Sequence, residues 1–535
     1  MTDFSCAFRK RLILKRPEAP RHFVPGWDSG KIGTSFKSRQ LPALRKGSRM
    51  NIRASRFAIL CRPAAAMAAV LTSTVLLAGT AFAHGEQDQN GKSRILTLKL
   101  RDFKAQMREL VEGGYDIAGA NPGSSTVDIV QRANSQQSFN KEIFGQVIES
   151  KVVDTTIAPD VGYKTSAEVD EIIHRLANNY PDLVTVESFG RTHEGRDLWA
   201  IRVTSQAKQK AGKPVVFLNA LHHAREVMTV EVALDAADYL ATNYGTNNEV
   251  RDWLDRAEIW IVPMVNPDGS NKVWTEDSMW RKNTSGSDGV DVNRNYPYRW
   301  NQCNGSSGTP SSDTYRGPSA GSENETQAMM ALVGRIRPVY SISFHSYSEL
   351  VLYPYSCDGE HVPQREVVEG GGKAMAQLLP SDGGSGKYAP GTSWEILYAV
   401  DGGDIDWMYN THNVIPYVIE LNSTSQGFQP SFSAWRNKTV QKVRAAWQYV
   451  IRRTLQSGIR GNVTVAGESV DNAVVRVTSL IKEGDVGQMI SVKGDGTFHA
   501  VLVPGSYKVV VARGERTVEK TVLVGGDLVT LDVAL

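Results

Sequence analysis

Three apolar runs in this chain each end on ionisable side chains. "VVFLNAL" leads into His222-His223-Ala224-Arg225-Glu226, "VYSISF" ends on His345, and "VIPYVI" ends on Glu420. Short runs without polar alternation read as strands buried on both faces. Ionisable groups at the carboxyl ends of such strands collect at the open edge of an α/β sheet, where sites form. A His, a Glu three residues later and a distant second His make a His₂Glu set with a fourth position open. That set suits catalytic zinc, because imidazole nitrogens match a borderline-soft ion, one carboxylate offsets part of its charge, and the open position takes water. The H-x-x-E spacing by itself is also what chance places on a surface, and the HExxH pattern of zincins is absent. A rival chemistry is spelled by Gly317-Pro318-Ser319-Ala320-Gly321, the G-x-S-x-G spacing of a serine hydrolase with Ser319 as nucleophile. The nucleophile elbow needs a strand directly before its serine, whereas "NGSSGTPSSDTYR" reads as a loop. Ser319 or Ser322 is expected to cap the following helix, with Glu325 three residues after Ser322.

The elements that must position these groups are legible around them. Helical patterns such as "TVEVALDAADYLATNY" and "SENETQAMMALVGRI" separate the buried strands, which predicts an α/β domain with a largely parallel sheet. It opens at "TSAEVDEIIHRLANNYPDL", where Thr165 and Glu168 have capping-box spacing, and closes with the helix "WRNKTVQKVRAAWQYVIRRTLQ". Before it, "SRILTLKLRDFKAQMREL" and "STVDIV" predict a small α/β unit. After Ser457-Gly458, alternating runs punctuated by "GDGTF" and "PGS" predict a small all-β sandwich.

Residues 1–83 hold fifteen Lys/Arg against three Asp/Glu, so a formal charge of +3 for the chain becomes −9 for the rest. That acidity argues against nucleic acid as a partner. Arg53, Arg56 and Arg62 precede the apolar Ala64–Gly79 run and the "AFA" cleavage pattern at Ala81–Ala83, a secretory signal too short to serve as a span. The expected divisions are 1–49, an over-extended or disordered segment; 50–83, the signal peptide; 84–155; 156–456; and 457–535. The mature protein is expected to be secreted, extracellular or periplasmic, with no membrane span. Cys303 and Cys357 remain in the exported part, where an even pair implies a disulfide, the alternative being two buried thiols.

"HHARE", "MWRKN", "GVDVNRN", "YRGPSAGSENE", "SFHSYSELVLYPY", "YAVDGGDIDWMYN" and "YVIEL" occur in the order and approximate spacing of zinc metallocarboxypeptidases. Over about Ala158 to Leu455 the chain resembles the carboxypeptidase A/B family, closest in pattern to bacterial carboxypeptidase T. The resemblance implies a mixed, largely parallel sheet with helices on both faces, one Zn²⁺ per chain, and removal of C-terminal residues from peptides and proteins with a free C terminus. It implies His223, Glu226 and His345 as metal ligands, leaving His222 a neighbour, and Asp291 as the carboxylate that orients His223. Asn293 and Arg294 would bind the substrate's terminal carboxylate, Arg225 would contact the peptide further along, and Tyr398 would close over the terminal residue. Glu420 would be the general base and Arg281 the group stabilising the tetrahedral oxyanion.

Ile405, with Leu397 and Val418, implies a broad, mainly hydrophobic preference, although Asp401 and Asp404 flank the same pocket. Cell-wall peptides are the alternative substrate. Segment 84–155 resembles the family's activation propeptides, which an activating protease removes, and 457–535 resembles an appended transthyretin-like domain. A monomer is expected.

Overall fold

The computed structural model describes residues 92–133, 145–207, 212–357, 359–470, 472–482, 485 and 487–535. The expected signal peptide and the segment before it lie outside the described residues.

The N-terminal unit comprises β1 (Ser93–Lys99), α1 (Phe103–Glu112), β2 (Asp116–Asn121), β3 (Thr126–Gln131) and β4 (Gln146–Val153). Its strands form an antiparallel sheet in the order β2-β3-β1-β4. Asp102 starts α1 by accepting the Ala105 N–H, so one otherwise unpaired donor of the first turn is satisfied.

The central domain begins with α2 (Ser166–Asn179), where the Thr165/Glu168 capping box forms as its spacing predicts. There follow β5 (Val184–Arg191), β6 (Asp197–Val203), β7 (Val215–Ala220), α3 (Met228–Asn243), α4 (Asn248–Arg256), β8 (Glu258–Val262), α5 (Pro267–Thr275) and α6 (Asn324–Ile336). The second half adds β9 (Tyr340–Ser346), β10 (Leu350–Tyr353), α7 (Arg365–Leu378), β11 (Ala389–Thr392), α8 (Ser393–Ile396), α9 (Asp404–His412), β12 (Ile415–Leu421) and α10 (Phe432–Leu455). The eight strands order as β11-β10-β12-β9-β7-β8-β6-β5. The parallel expectation describes the centre, where β12, β9, β7 and β8 all run together. Toward the edges β10 pairs antiparallel to β12, and the β5–β6 hairpin continues antiparallel from β8. A short turn suffices to join antiparallel neighbours, whereas the parallel centre needs its helical crossovers.

Both faces of the sheet are covered, as period-2 strands with no polar face require. Val216, Leu218 and Ala220 of β7 pack into one core with Val230 and Leu234 of α3 and Trp447 of α10. Val215 and Phe217 pack on the other side with Met329, Leu332 and Val333 of α6 and Trp407 of α9.

The capping expectation at α6 fails. Glu323, not Ser319 or Ser322, occupies the cap position and makes no side-chain cap bond. Ser322 Oγ is already engaged by Asn295 Nδ2 at 2.9 Å and Glu323 Oε1 at 2.5 Å, while Glu325 turns to Asn283 Nδ2. A tertiary polar network outcompetes the local cap.

The last unit is a two-sheet sandwich of β13 (Gly458–Val465), β14 (Glu468–Ser469), β15 (Val474–Ser479), β16 (Gln488–Ser491), β17 (Thr497–Val501), β18 (Gly505–Arg513), β19 (Arg516–Val524), β20 (Leu528–Thr530) and β21 (Val533–Ala534). One sheet is β14-β13-β17, with β20 and β21 adding to β13; the other is β16-β15-β18-β19. Val475, Val477, Val509, Val511 and Phe498 fill the space between them. No helix among the described residues is long and apolar enough to cross a membrane.

Candidate active site

The site is assembled at the carboxyl ends of the parallel strands. β7 ends at Ala220, and Leu221 then adopts φ +59°, a left-handed conformation that a branched residue rarely takes. The kink is held by Val265 N–H donating to Ala220 O and Asn266 N–H to Leu221 O. It turns the His222–Glu226 segment over the sheet edge instead of letting it continue the strand. His345 lies near the end of β9, and Glu420 is its direct register partner on β12. Partners on adjacent strands project to the same face, so the two strands deliver a carboxylate and an imidazole side by side.

His223, Glu226 and His345 converge, with ligand atoms within 4.8 Å of one another. Glu226 Oε1 is 2.7 Å from His223 Nδ1, and its Oε2 is 3.1 Å from His345 Nδ1. The outer nitrogens face the protein: His223 Nε2 is 3.3 Å from Asp291 Oδ1, and His345 Nε2 is 3.2 Å from Ser343 Oγ. Two imidazoles presenting Nδ1 inward, their Nε2 atoms oriented from outside, beside one carboxylate form a donor set that fits zinc. Burial opposes the charge on Glu226, but His223 and His345 hold its carboxyl well below the usual range.

His222 is fully buried and takes no part in this set. Its Nε2 lies 3.1 Å from Tyr296 Oη, and its ring stacks on that of His345 with centroids 5.6 Å apart. Arg281 sits deep beside His223, with Nε and Nη2 at 3.0 and 2.9 Å from Asp291 Oδ2 and Nη2 2.8 Å from His223 Nε2. Asp291 therefore anchors both the histidine and the arginine. Its carboxyl is held far below its ordinary value, because Arg281 and His223 outweigh the cost of burial. Glu420 behaves oppositely: burial, with Glu226 nearby, pushes it up to about 7 although His345 pulls the other way. The side chain is partly open to the cleft, and a carboxylate so placed can exchange protons with a bound water.

Asn293 and Arg294 occupy a single 3-10 turn, Val292–Arg294, started by Asp291 accepting the Asn293 N–H. Asn293 Nδ2 lies 3.4 Å from His345 Nε2, and Arg294 is braced by Gly305 O and Asn293 O, both at 2.9 Å. The Tyr398 ring centre is 6.0 Å from the Arg294 guanidinium carbon. The segment carrying Tyr398 is tied by Asp401, which accepts the Gln302 and Cys303 N–H groups at 3.1 Å each, to the loop whose Cys303 forms the expected disulfide with Cys357.

Leu397, Ile405 and Val418 belong to one apolar cluster, and that cluster also contains Leu96, Leu98, Leu100, Met107 and Leu110 of the N-terminal unit. Arg225 is fully buried and grips Asp116 of β2 through two bonds of 2.6 Å. Gly119 of the same strand lies so close to Tyr347 that a Cβ there would meet the ring at 2.4 Å.

Ser319 follows no strand, and its carbonyl accepts from Asn295 Nδ2 at 3.0 Å, so the nucleophile-elbow geometry does not form. Two residues of the site escaped the sequence reading. Ser343 stands two positions before His345 on the same strand face, a period-2 signal that was available. Asp116, separated from Arg225 by more than a hundred residues, offered none.

A parallel-centred α/β sheet with a His₂Glu set and a neighbouring glutamate at its carboxyl edge defines a zinc-dependent hydrolase of the peptidase type. Residues 169–445, just over half of the chain, match the family model described as zinc carboxypeptidase, and the chain belongs to that family, an enzyme family of metallocarboxypeptidases. A zinc carboxypeptidase of Simulium vittatum is 33% identical over 279 residues, covering 50% of this chain and 88% of the relative. Carboxypeptidase B of Rattus norvegicus is 32% identical over 273 residues, covering 49% of this chain but only 64% of the relative. Among solved structures, carboxypeptidase A from Helicoverpa armigera superimposes with a TM-score of 0.56 at 24% identity, covering 69% of this chain and 97% of that one. That likeness is one of fold.

Proposed function

We infer that the protein is an exported zinc carboxypeptidase that removes C-terminal residues, mainly apolar ones, from peptides and proteins. The observation that carries this reading is the register pairing of Glu420 with His345 beside the His223–Glu226 turn, which sets a carboxylate against a zinc donor set. A zinc ion held there supplies Lewis-acid polarisation of the scissile carbonyl and of the attacking water. Glu420 takes the proton from that water and returns one to the departing amine. Arg281, fixed by Asp291, offers positive charge where the tetrahedral oxyanion develops. Asn293 and Arg294 hold the terminal carboxylate, Tyr398 covers the terminal residue, and Ile405, Leu397 and Val418 line its apolar pocket. Arg225 binds the peptide further from its end.

The described N-terminal unit supports a precursor reading, since Asp116 occupies the Arg225 guanidinium and the unit's core is continuous with the pocket-lining cluster. Activation then means cutting near Lys151 to Thr156 and releasing the unit. Glu420→Gln tests the assignment: zinc analysis should return one ion per chain, as in the parent, while turnover of blocked peptides ending in Phe, Leu, Lys or Glu falls roughly 10³-fold. Turnover within about tenfold of the parent would remove Glu420 from the role of base.

A further inference from the structure

The amino ends of β9 and β12, the opposite ends from His345 and Glu420, meet the C-terminal sandwich around an enclosed space of about 30 Å³. From the central domain it is lined by Arg337, just past α6, and by His412, the last residue of α9. From the sandwich come Gln488 of β16, Lys493, and His499 of β17. Four of those five side chains carry or can accept positive charge. The nearest acids face elsewhere: Glu258 holds Arg202 and the Trp260 N–H, and Asp495 Oδ1 accepts the N–H and hydroxyl of Thr497. Among the described residues none of the four basic groups forms an ion pair, and Arg337 Nε goes to Gly334 O at 2.8 Å. They act on one another instead. Burial, with Arg337 nearby, lowers the Lys493 ammonium although Asp495 and Glu258 pull the other way. Burial and Arg337 push His412 down to about 4, and burial with Lys493 and Arg460 lowers His499.

The same place holds buried polar atoms without partners. His412 Nδ1 and Gln488 Oε1 have none, and rotating the Gln488 amide presents its –NH₂ in place of the oxygen. The Thr454 carbonyl stands beside the His499 ring and takes one N–H, which leaves the other nitrogen unmatched. Imidazole nitrogens ligate metals, but next to Arg337 and Lys493 a metal ion has the wrong sign. An anion has the right one, since it supplies the counter-charge that a buried ammonium lacks and accepts from the guanidinium and from His412 Nδ1. A water needs roughly 10–15 Å³ of such space, so this one takes a single compact ion. The planar guanidinium fork matches the oxygens of a tetrahedral anion better than it matches spherical chloride. A groove of about 240 Å³ shares Lys493 and His499 with the enclosed space and leads to it past Arg460. Asp532 in that groove is turned to the Asn462 N–H at 2.9 Å. We propose that this seam binds a small inorganic oxyanion, sulfate or phosphate, which bridges Arg337 of the central domain to Lys493 of the sandwich. The site is separate from the zinc donor set and independent of the catalytic reading.

Hydrogen exchange of the full chain tests it, with chloride replaced stepwise by sulfate, and in a second series by phosphate, at constant ionic strength. Exchange at 488–491 and 497–501 should slow saturably while 116–131 does not change. The slowing should reach roughly tenfold at about 10 mM, the factor that a dissociation constant of about 1 mM gives when only the closed seam binds. Lys493→Met and Arg337→Asn should each abolish the saturable protection, Asn being a residue that tolerates the left-handed backbone at 337 (φ +46°). In chloride alone Lys493→Met should exchange no faster than the parent, because it removes a buried cation that has no counter-charge. A lysine that only supports the fold would instead loosen the seam in every buffer when replaced. Four results would each overturn the proposal: no change on replacing chloride, protection that never saturates, protection shared equally by 116–131, or protection that persists in both variants. Faster exchange of Lys493→Met in chloride would overturn it too.

Discussion

The two flanking units meet the central domain with different shares of charge. The N-terminal unit is joined at the site by apolar packing on Leu397, Ile405 and Val418 and also by charge: Asp116 on Arg225, and Arg132 on Asp277 at 2.7 Å and on Asp313 at 3.2 Å. The C-terminal sandwich sits by the amino ends of β9 and β12; Val501 joins the main hydrophobic core, and Gln364 Nε2 donates to Gly487 O at 3.2 Å. Ion pairs can be exchanged for water or for a competing substrate group, whereas buried apolar area has no soluble substitute. The charged part of the first contact is therefore exchangeable, whereas the apolar part of either contact is not.

The largest effect expected from breaking this contrast is at Asp116. Asp116→Asn leaves the buried Arg225 guanidinium without a counter-charge, and losing one partner of a buried pair costs about 3–5 kcal/mol. The uncut chain should then show peptide hydrolysis raised at least roughly tenfold, with faster hydrogen exchange across β2 and β3 but not across the sandwich. An uncut variant as silent as the parent would mean that the ion pair does not hold the unit in place. Arg132→Ala comes next. It removes charge-assisted bonds to two carboxylates and to Met279 O from a side chain that is 28% exposed, so about 2 kcal/mol is expected. The same exchange measurement should show the same region loosened, to a smaller degree.

Acid should separate the units in the other direction. Burial, with Lys493 and Arg460 nearby, pushes His499 of β17 down to about 3. A histidine depressed in the folded state binds its proton more readily when unfolded. Its contribution is therefore intact above about pH 6.5 and declines as pH falls from there toward its folded value. Asp116 moves the opposite way: burial would raise its carboxyl, but Arg225 lowers it, so this pair holds until pH drops below the ordinary aspartate range. At about pH 5 the sandwich should have lost about 1–2 kcal/mol, seen as faster exchange in 497–501, while β2 and β3 remain protected. His499→Phe should abolish that acid response. Equal loosening of both units at this pH would erase the distinction.

What could be read from the chain beforehand follows the same division between local and distant causes. The buried strands β7, β8, β9 and β12 and the capping box at Thr165 were legible, because periodicity and spacing act within a few residues. So were the ionisable groups at the strand ends, since their position follows from strand direction. The hairpin β5–β6 and the short strands β10 and β11 went unnoticed, as did β16, β17 and β19 of the sandwich; several of these are brief or part-exposed runs stabilised by neighbours. The α6 cap was misassigned because Ser322 bonds to Asn295, a partner 27 residues away that spacing rules do not see. Asp401 illustrates the limit most directly: sequence placed it near the pocket, but only the fold shows its carboxylate taken up by the Gln302 and Cys303 N–H groups and the Ser306 hydroxyl.

The smallest effect tests whether the sandwich seam is apolar in origin. Gln364 stands just before α7, makes no side-chain cap bond, and forms two other bonds: it donates to Gly487 O across the seam and accepts from Tyr409 Oη within the central domain. Gln364→Ala removes both, so a fall in overall melting temperature would not separate them. The seam term alone is a neutral hydrogen bond worth about 0.5–1.5 kcal/mol. It should appear as slightly faster exchange at 488–491 and 497–501, with Tyr409→Phe serving as the control that changes the internal bond and spares the seam. If the sandwich instead detaches in Gln364→Ala, visible as rapid proteolysis near Ser457, the seam depends on polar contacts after all. In that case the two flanking units would be held by the same kind of force and differ only in where they are attached.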